Sequence, residues 1–132
     1  MGTAQLMYTI ICDDVRLEMG NKLSLMGIFE NVFFPSFPSI LLRLAVVNHW
    51  VGVGDFETRV RIVAPDGKEV AASAPSNFRI ENQGYADNVT VFTNVAFDRA
   101  GTFTVQIFLD GRSVSQKSIY VHLLQQPPST VN

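Results

Sequence analysis

Apolar and polar residues take turns with a period of two over much of the second half of the chain. From Phe56 to Ala64, Thr58, Val60 and Ile62 fall on one side and Glu57, Arg59 and Arg61 on the other. That period puts one face on a core and the other in water. The same spacing aligns Val89, Val91, Val95 and Phe97, and then Phe103, Val105, Ile107 and Leu109. The last run, Ser113 to Leu124, aligns Ile119, Val121 and Leu123 but leaves Val114 out of phase. A bulge or bend is therefore expected near Ser115 to Lys117.

The first half reads differently. Gln5 to Cys12 and Leu41 to Trp50 are apolar on both parities, which suits strands covered on both faces. A buried helix is the rival for Leu41 to Trp50. Pro38 and the Gly52/Gly54 pair bracket that run closely, and Arg43 and Asn48 do not share a helical face, so a strand is favoured. Leu23 to Glu30, Lys68 to Ala72 and Phe78 to Glu81 complete the runs.

Turn chemistry separates them. Asp13 to Lys22 is charged and holds Gly20-Asn21, so it reads as a loop. Pro65-Asp66-Gly67 and Ala100-Gly101 read as turns, and Asp110-Gly111 as a tight hairpin. Asn82 to Asp87 reads as a polar loop carrying Tyr85. About nine short strands without an intervening helix predict an all-β fold of two packed antiparallel sheets. A small β-barrel is the alternative. Residues 1–124 form one domain in this reading, and 125–132, with Pro127-Pro128, a flexible tail.

Composition narrows the class. With 47% apolar and 17% charged residues in 132, the chain should fold as one domain. Twelve acidic and ten basic residues give a net charge of -2, against the basic patch a general nucleic-acid binder needs. Cys12 is the lone cysteine, so no intrachain disulfide forms. The first basic residue, Arg16, follows the first apolar run, the wrong order for a secretory signal. The longest apolar stretch, Ile40 to Val53, is interrupted by Arg43, Asn48 and His49, which argues against a membrane span. The expectation is a cytoplasmic protein with no membrane partner.

Candidate chemistry is sparse. Cys12-Asp13-Asp14 could bind a metal or share a proton, but neighbours on a strand point to opposite faces. The competing reading has Cys12 as a small buried hydrophobe and the aspartates bonding local backbone. His49 and His122 lack the paired spacing of zinc ligands, so neither a metal nor a cofactor is expected. No nucleophile elbow or phosphate loop is present. Arg59 and Arg61 share one strand face and could clamp an anion, although a solvated face explains them too. Tyr85, in its polar loop, is the best single candidate for a ligand contact, and a tyrosine folded over the sandwich edge is the competing reading.

Phe92 and Phe108 fall on the parity opposite the assigned core, and Val47 can join them. Outward phenylalanines form patches that mark partner surfaces. The segment Phe33-Phe34-Pro35-Ser36-Phe37-Pro38 plugs one sheet end, reaches a neighbour, or folds over the outer face and buries Phe92 and Phe108.

Cys12-Asp13-Asp14-Val15-Arg16, followed by Asn21-Lys22-Leu23-Ser24-Leu25-Met26-Gly27-Ile28-Phe29, resembles the opening of an uncharacterised bacterial family, a domain of unknown function. Ala100 to Gly111 resembles the closing hairpin of many immunoglobulin-like sandwiches. The resemblance implies an immunoglobulin-like β-sandwich of bacterial, intracellular origin. It makes Asp13, Asp14, Arg16 and Lys22 the first positions to test, and it implies no activity.

These readings lead to a non-catalytic binding or protein-interaction module, with a protein partner or a second copy of the chain. The alternatives are a small metal-dependent or acid–base enzyme using Asp13 and Asp14 with a histidine, and a structural subunit of a larger assembly. Sandwich folds host all three.

Overall fold

The structure, a computed structural model, describes residues 2–125. The expected tail falls almost wholly outside them. The strands are β1 (Thr3–Glu18), β2 (Lys22–Ile28), β3 (Asn31–Phe34), β4 (Ser39–Val63), β5 (Glu69–Ala72), β6 (Ser76–Phe97), β7 (Gly101–Leu109) and β8 (Arg112–Leu123). The described chain is all-β. Its eight strands join one mixed sheet in the order β2-β1-β4-β7-β8-β3, with β5 and β6 also paired to β4. Only β3 and β8 run parallel.

One connected sheet, rather than two separate ones, results from the length of β4. Its first half lies between β1 and β6, where Ala45 sits opposite both Cys12 and Val91. Its second half lies between β7 and β5, where Ile62 sits opposite both Val105 and Ala71. The register on β6 jumps between the halves: Gly52 pairs with Gly84, but Gly54 pairs with Ile80. Glycine is needed there, because a Cβ on Gly52 would collide with the Thr3 carbonyl oxygen.

A single hydrophobic cluster joins the two halves. Ile11, Leu44, Val46 and Trp50 meet Val60, Ile62, Phe103, Val105, Ile107, Ile119 and Val121 in it. Phe97 packs edge-on against Phe103 at 4.9 Å. Burying each such side chain stabilises the fold by about 1.5–3 kcal/mol. The alternation from Phe56 to Ile62 is obeyed: Thr58, Val60 and Ile62 are buried and Glu57 is exposed.

Several expectations are corrected. Asp13 to Glu18 is not a loop. It continues β1 and turns through Gly20 (φ 81°) and Asn21 (φ 57°) into β2. The arm so formed lays Val15, Leu23 and Leu25 over Cys12, Ala45 and Val47, a second small core. Covered on both faces, Leu44 to Asn48 are all buried. Val47 does lie on the outer side, under this arm.

Asn82 to Asp87 is likewise strand, within an unbroken β6. Before Asn94, the inward parity of β6 is the reverse of the one expected. Phe92 is a core residue, while Val89 and Val91 are exposed. Phe92 pairs with Leu44 and Val95 with Leu41, and all four join the main cluster. Three steps separate the two pairs, so the alternation inverts between them, where Asn94 adopts a left-handed φ of 54°. Phe34 is also core, because β3 pairs with β8 and closes one end rather than covering Phe92 and Phe108. The bulge expected in β8 is at Val114, since Ile107 faces Ser115 and Phe108 faces Ser113.

Candidate functional site

On the first half of the sheet, the residues of β4 that alternate with Val46, Asn48 and Trp50 face away from the main core. Beyond the reach of the β1–β2 arm, this outer face is open. The register places Tyr8 opposite His49, His49 opposite Asp87, and Val51 opposite Tyr85. Three strands thus bring four functional side chains into one row.

The row is tightly ordered. The His49 ring stacks on Tyr8 at 4.8 Å with planes 5° apart, and Tyr85 covers its other side at 5.2 Å and 32°. His49 Nδ1–H donates to Asp87 Oδ1 at 2.6 Å. A carboxylate only accepts, so this bond sets the imidazole tautomer. Burial, then Asp87 and Tyr85, push the Tyr8 hydroxyl above its ordinary value and keep it neutral. Tyr8 and Tyr85 remain 46% and 58% exposed. Val51, Val89 and Val91, partly exposed, extend the face along β4 and β6. The imidazole turns its two faces to the neighbouring tyrosines. The face offers aromatic rings, two phenol hydroxyls and valine methyl groups.

Of the residues singled out by sequence, Tyr85 belongs to this site, on a strand rather than in a loop. Arg59 and Arg61 lie on the other half of the sheet. Arg61 Nε donates to Glu69 Oε1 at 2.9 Å and its Nη1 to Gln106 Oε1 at 3.3 Å. The Arg59 guanidinium lies 5.9 Å from the centre of the partly exposed Phe108 ring. Arg61 is thus engaged within the chain, whereas Arg59 Nε is buried without a hydrogen-bond partner among the described residues.

Asp14 Oδ1 accepts from the Val15 N–H at 2.8 Å and from Arg43 Nε at 2.8 Å. Asp13 lies against Gly27, where a Cβ would collide with its carboxylate. Arg16 is exposed on the arm, opposite Ser24. Burial and then Asp13 raise the pKa of the Cys12 thiol, so it stays protonated in its small core. Among the described residues, no three His, Cys, Asp or Glu side chains converge as metal ligands. Phe33 is exposed and stacks on His122 at 4.7 Å, and His122 Nε2 is 2.9 Å from Asn31 Oδ1. Phe37 meets the buried Phe34 edge-on at 6.0 Å. Phe92 and Phe108 therefore do not make the single outer patch that parity suggested.

Sequence reasoning did not single out Tyr8 or Asp87. Their signal is the pairing of β1 and β6 on either side of His49, which only the register supplies.

The fold and this face define an all-β domain with an exposed aromatic and aliphatic sheet surface. Among the described residues no helix is long and apolar enough to cross a membrane. The chain belongs to a family of unknown function (DUF6941), whose profile matches residues 7–122. No curated protein matches it. Among solved structures, it is similar to β-glucosidase from Listeria innocua, crystallised with isofagomine, at a TM-score of 0.54 and 10% identity, over 92% of this chain and 16% of that one. It is also similar to the Pseudomonas fluorescens alkylpurine DNA glycosylase AlkC bound to DNA containing an abasic site analog. That match has a TM-score of 0.52 and 7% identity, over 90% of this chain and 30% of that one. The chain thus spans well under half of either protein, and at such identities the likeness is one of fold alone.

Proposed function

We propose that this chain is a non-catalytic protein-interaction domain whose outer β1-β4-β6 face docks on another protein. The observation that carries the reading is the open row of Tyr8, His49, Tyr85 and Asp87 flanked by Val51, Val89 and Val91. Tyrosine is enriched in interface hot spots because it adds contact area at small entropic cost. Exposed apolar sheet surface of this kind marks docking sites. We read the fold as an immunoglobulin-like sandwich in which β4 and β6 pass from one layer to the other, consistent with one interior shared by both halves. The lone, unpaired Cys12 agrees with a reducing compartment, the cytoplasm. The net charge of -2 favours a protein partner over nucleic acid.

Affinity capture from the native host tests this, with wild type, a Val51→Lys/Tyr85→Ser double variant and Met19→Ser, an exposed change on the distant arm. The expected result is a partner held by wild type and Met19→Ser and lost by the double variant, with all three giving the same circular dichroism. Equal capture by all three would sink the reading.

A further inference from the structure

The open edge of β6 offers a separate interaction site. The Ile11 carbonyl accepts from the Phe29 N–H, so the backbone of Ile11 faces β2 and that of Ile10 and Cys12 faces β4. Their partners on β4 are Val47 and Ala45. Alternation then turns Val46 and Asn48 towards β6, where they pair with Thr90 and Asn88. The backbone N–H and C=O groups of Asp87, Val89 and Val91 consequently point away from the sheet. Among the described residues, no hydrogen bond from another segment reaches them.

Natural edges are blunted by lysine, proline or a covering segment. From Gly84 to Phe97, β6 has no proline, lysine or arginine, and its single charge is Asp87. The edge is also accessible. Asp87 to Val91 line a groove of about 420 Å³ whose opposite wall is Thr58, Ser73, Ala74 and Ser76, all uncharged.

We propose that this edge pairs antiparallel with β6 of a second copy, about a two-fold axis at Thr90, to make a continuous sheet across a dimer. The sequence is self-complementary in that register. Val89 meets the second copy's Val91, and Asp87 meets Thr93, so the single charge between Gly84 and Phe97 opposes a neutral hydroxyl rather than its own copy. Pairings of β-branched residues stabilise adjacent strands, and like charges set opposite each other destabilise them. A two-fold axis requires such self-complementarity. The dimer also joins the two outer faces into one surface, although the edge argument does not depend on the docking role of that face.

Sedimentation equilibrium of the full chain reads the assembly directly, and dimeric wild type is expected. Val89→Pro removes an outward N–H that no bond within the sheet uses and changes an exposed side chain, so it should leave the fold intact by circular dichroism and yield a monomer. Thr93→Lys, set opposite Asp87 of the second copy, should tighten the dimer, and Thr93→Glu should loosen it, by up to about tenfold each way. Monomeric wild type overturns the proposal, as does a Val89→Pro chain that stays dimeric. Equal effects of the two Thr93 charges overturn it as well. Monomeric wild type that keeps a partner lost by Val51→Lys/Tyr85→Ser would refute the dimer alone. A dimer whose partner capture ignores that double variant would refute only the face.

Discussion

His49 and Asp87 sit directly opposite each other on β4 and β6, and their side chains meet at 2.6 Å. Both are mostly shielded, so the hydrogen bond is less screened than a surface pair. Removing either partner should cost about 1 kcal/mol in urea unfolding, and the double variant should cost little more than one single change. Additive losses in that cycle would show that the contact does not couple the strands.

Trp50 is fully buried, and its Nε1–H donates to Asn88 Oδ1 at 2.6 Å. Its fluorescence should be blue-shifted in the native state and move red on unfolding. Trp50→Phe leaves the Asn88 oxygen without that donor and should destabilise by about 1–3 kcal/mol, read from the denaturant midpoint.

Stability should fall in acid. The Lys68 backbone N–H, with help from Arg99, holds the Asp66 carboxyl below its ordinary value. The Arg99 hydrogen bond does the same for Asp98, and Arg79 for Asp55. A carboxyl lowered in the folded state contributes stability above its unfolded pKa, and that contribution is lost as pH falls through the folded value. Asp66→Asn should therefore flatten the acid limb of a midpoint-against-pH curve and leave its alkaline limb unchanged.

Cys12 predicts the opposite limb. A raised folded pKa gives stability that is whole below the unfolded value and is lost as pH rises through the folded one. Cys12→Ala removes the titrating thiol and should flatten the alkaline limb. In wild type, thiol reagents should label Cys12 far more slowly in the native state than in urea, because the β1–β2 arm must open first.

Period-two patterning located most strands and the inward faces of the second half of β4 and of β7, where Thr58, Val60, Ile62, Phe103, Val105, Ile107 and Leu109 are buried as expected, but it reversed the faces of β6 before Asn94 and left Leu123, expected inside, exposed. Asp110-Gly111 turns tightly with both φ values positive (50° and 81°), as local sterics require. The patterning failed where one strand serves two surroundings. Asp13 to Glu18 looked like a loop because its charges border water, while Val15 packs on the small second core. Tyr85 was singled out by its place in a polar stretch, but the residues beside it were not. Tyr8, His49 and Asp87 come from three separate strands, and their meeting depends on register.

What the linear order of residues determined is local: alternation, turns and the all-β character. They follow from the pleat of a strand and the steric preferences of single residues. The tertiary structure alone decided the crossing of β4 between two halves, the inversion at Asn94 and the row around His49. These depend on which strands become neighbours and in what register, and a one-residue slip exchanges every inward side chain for an outward one.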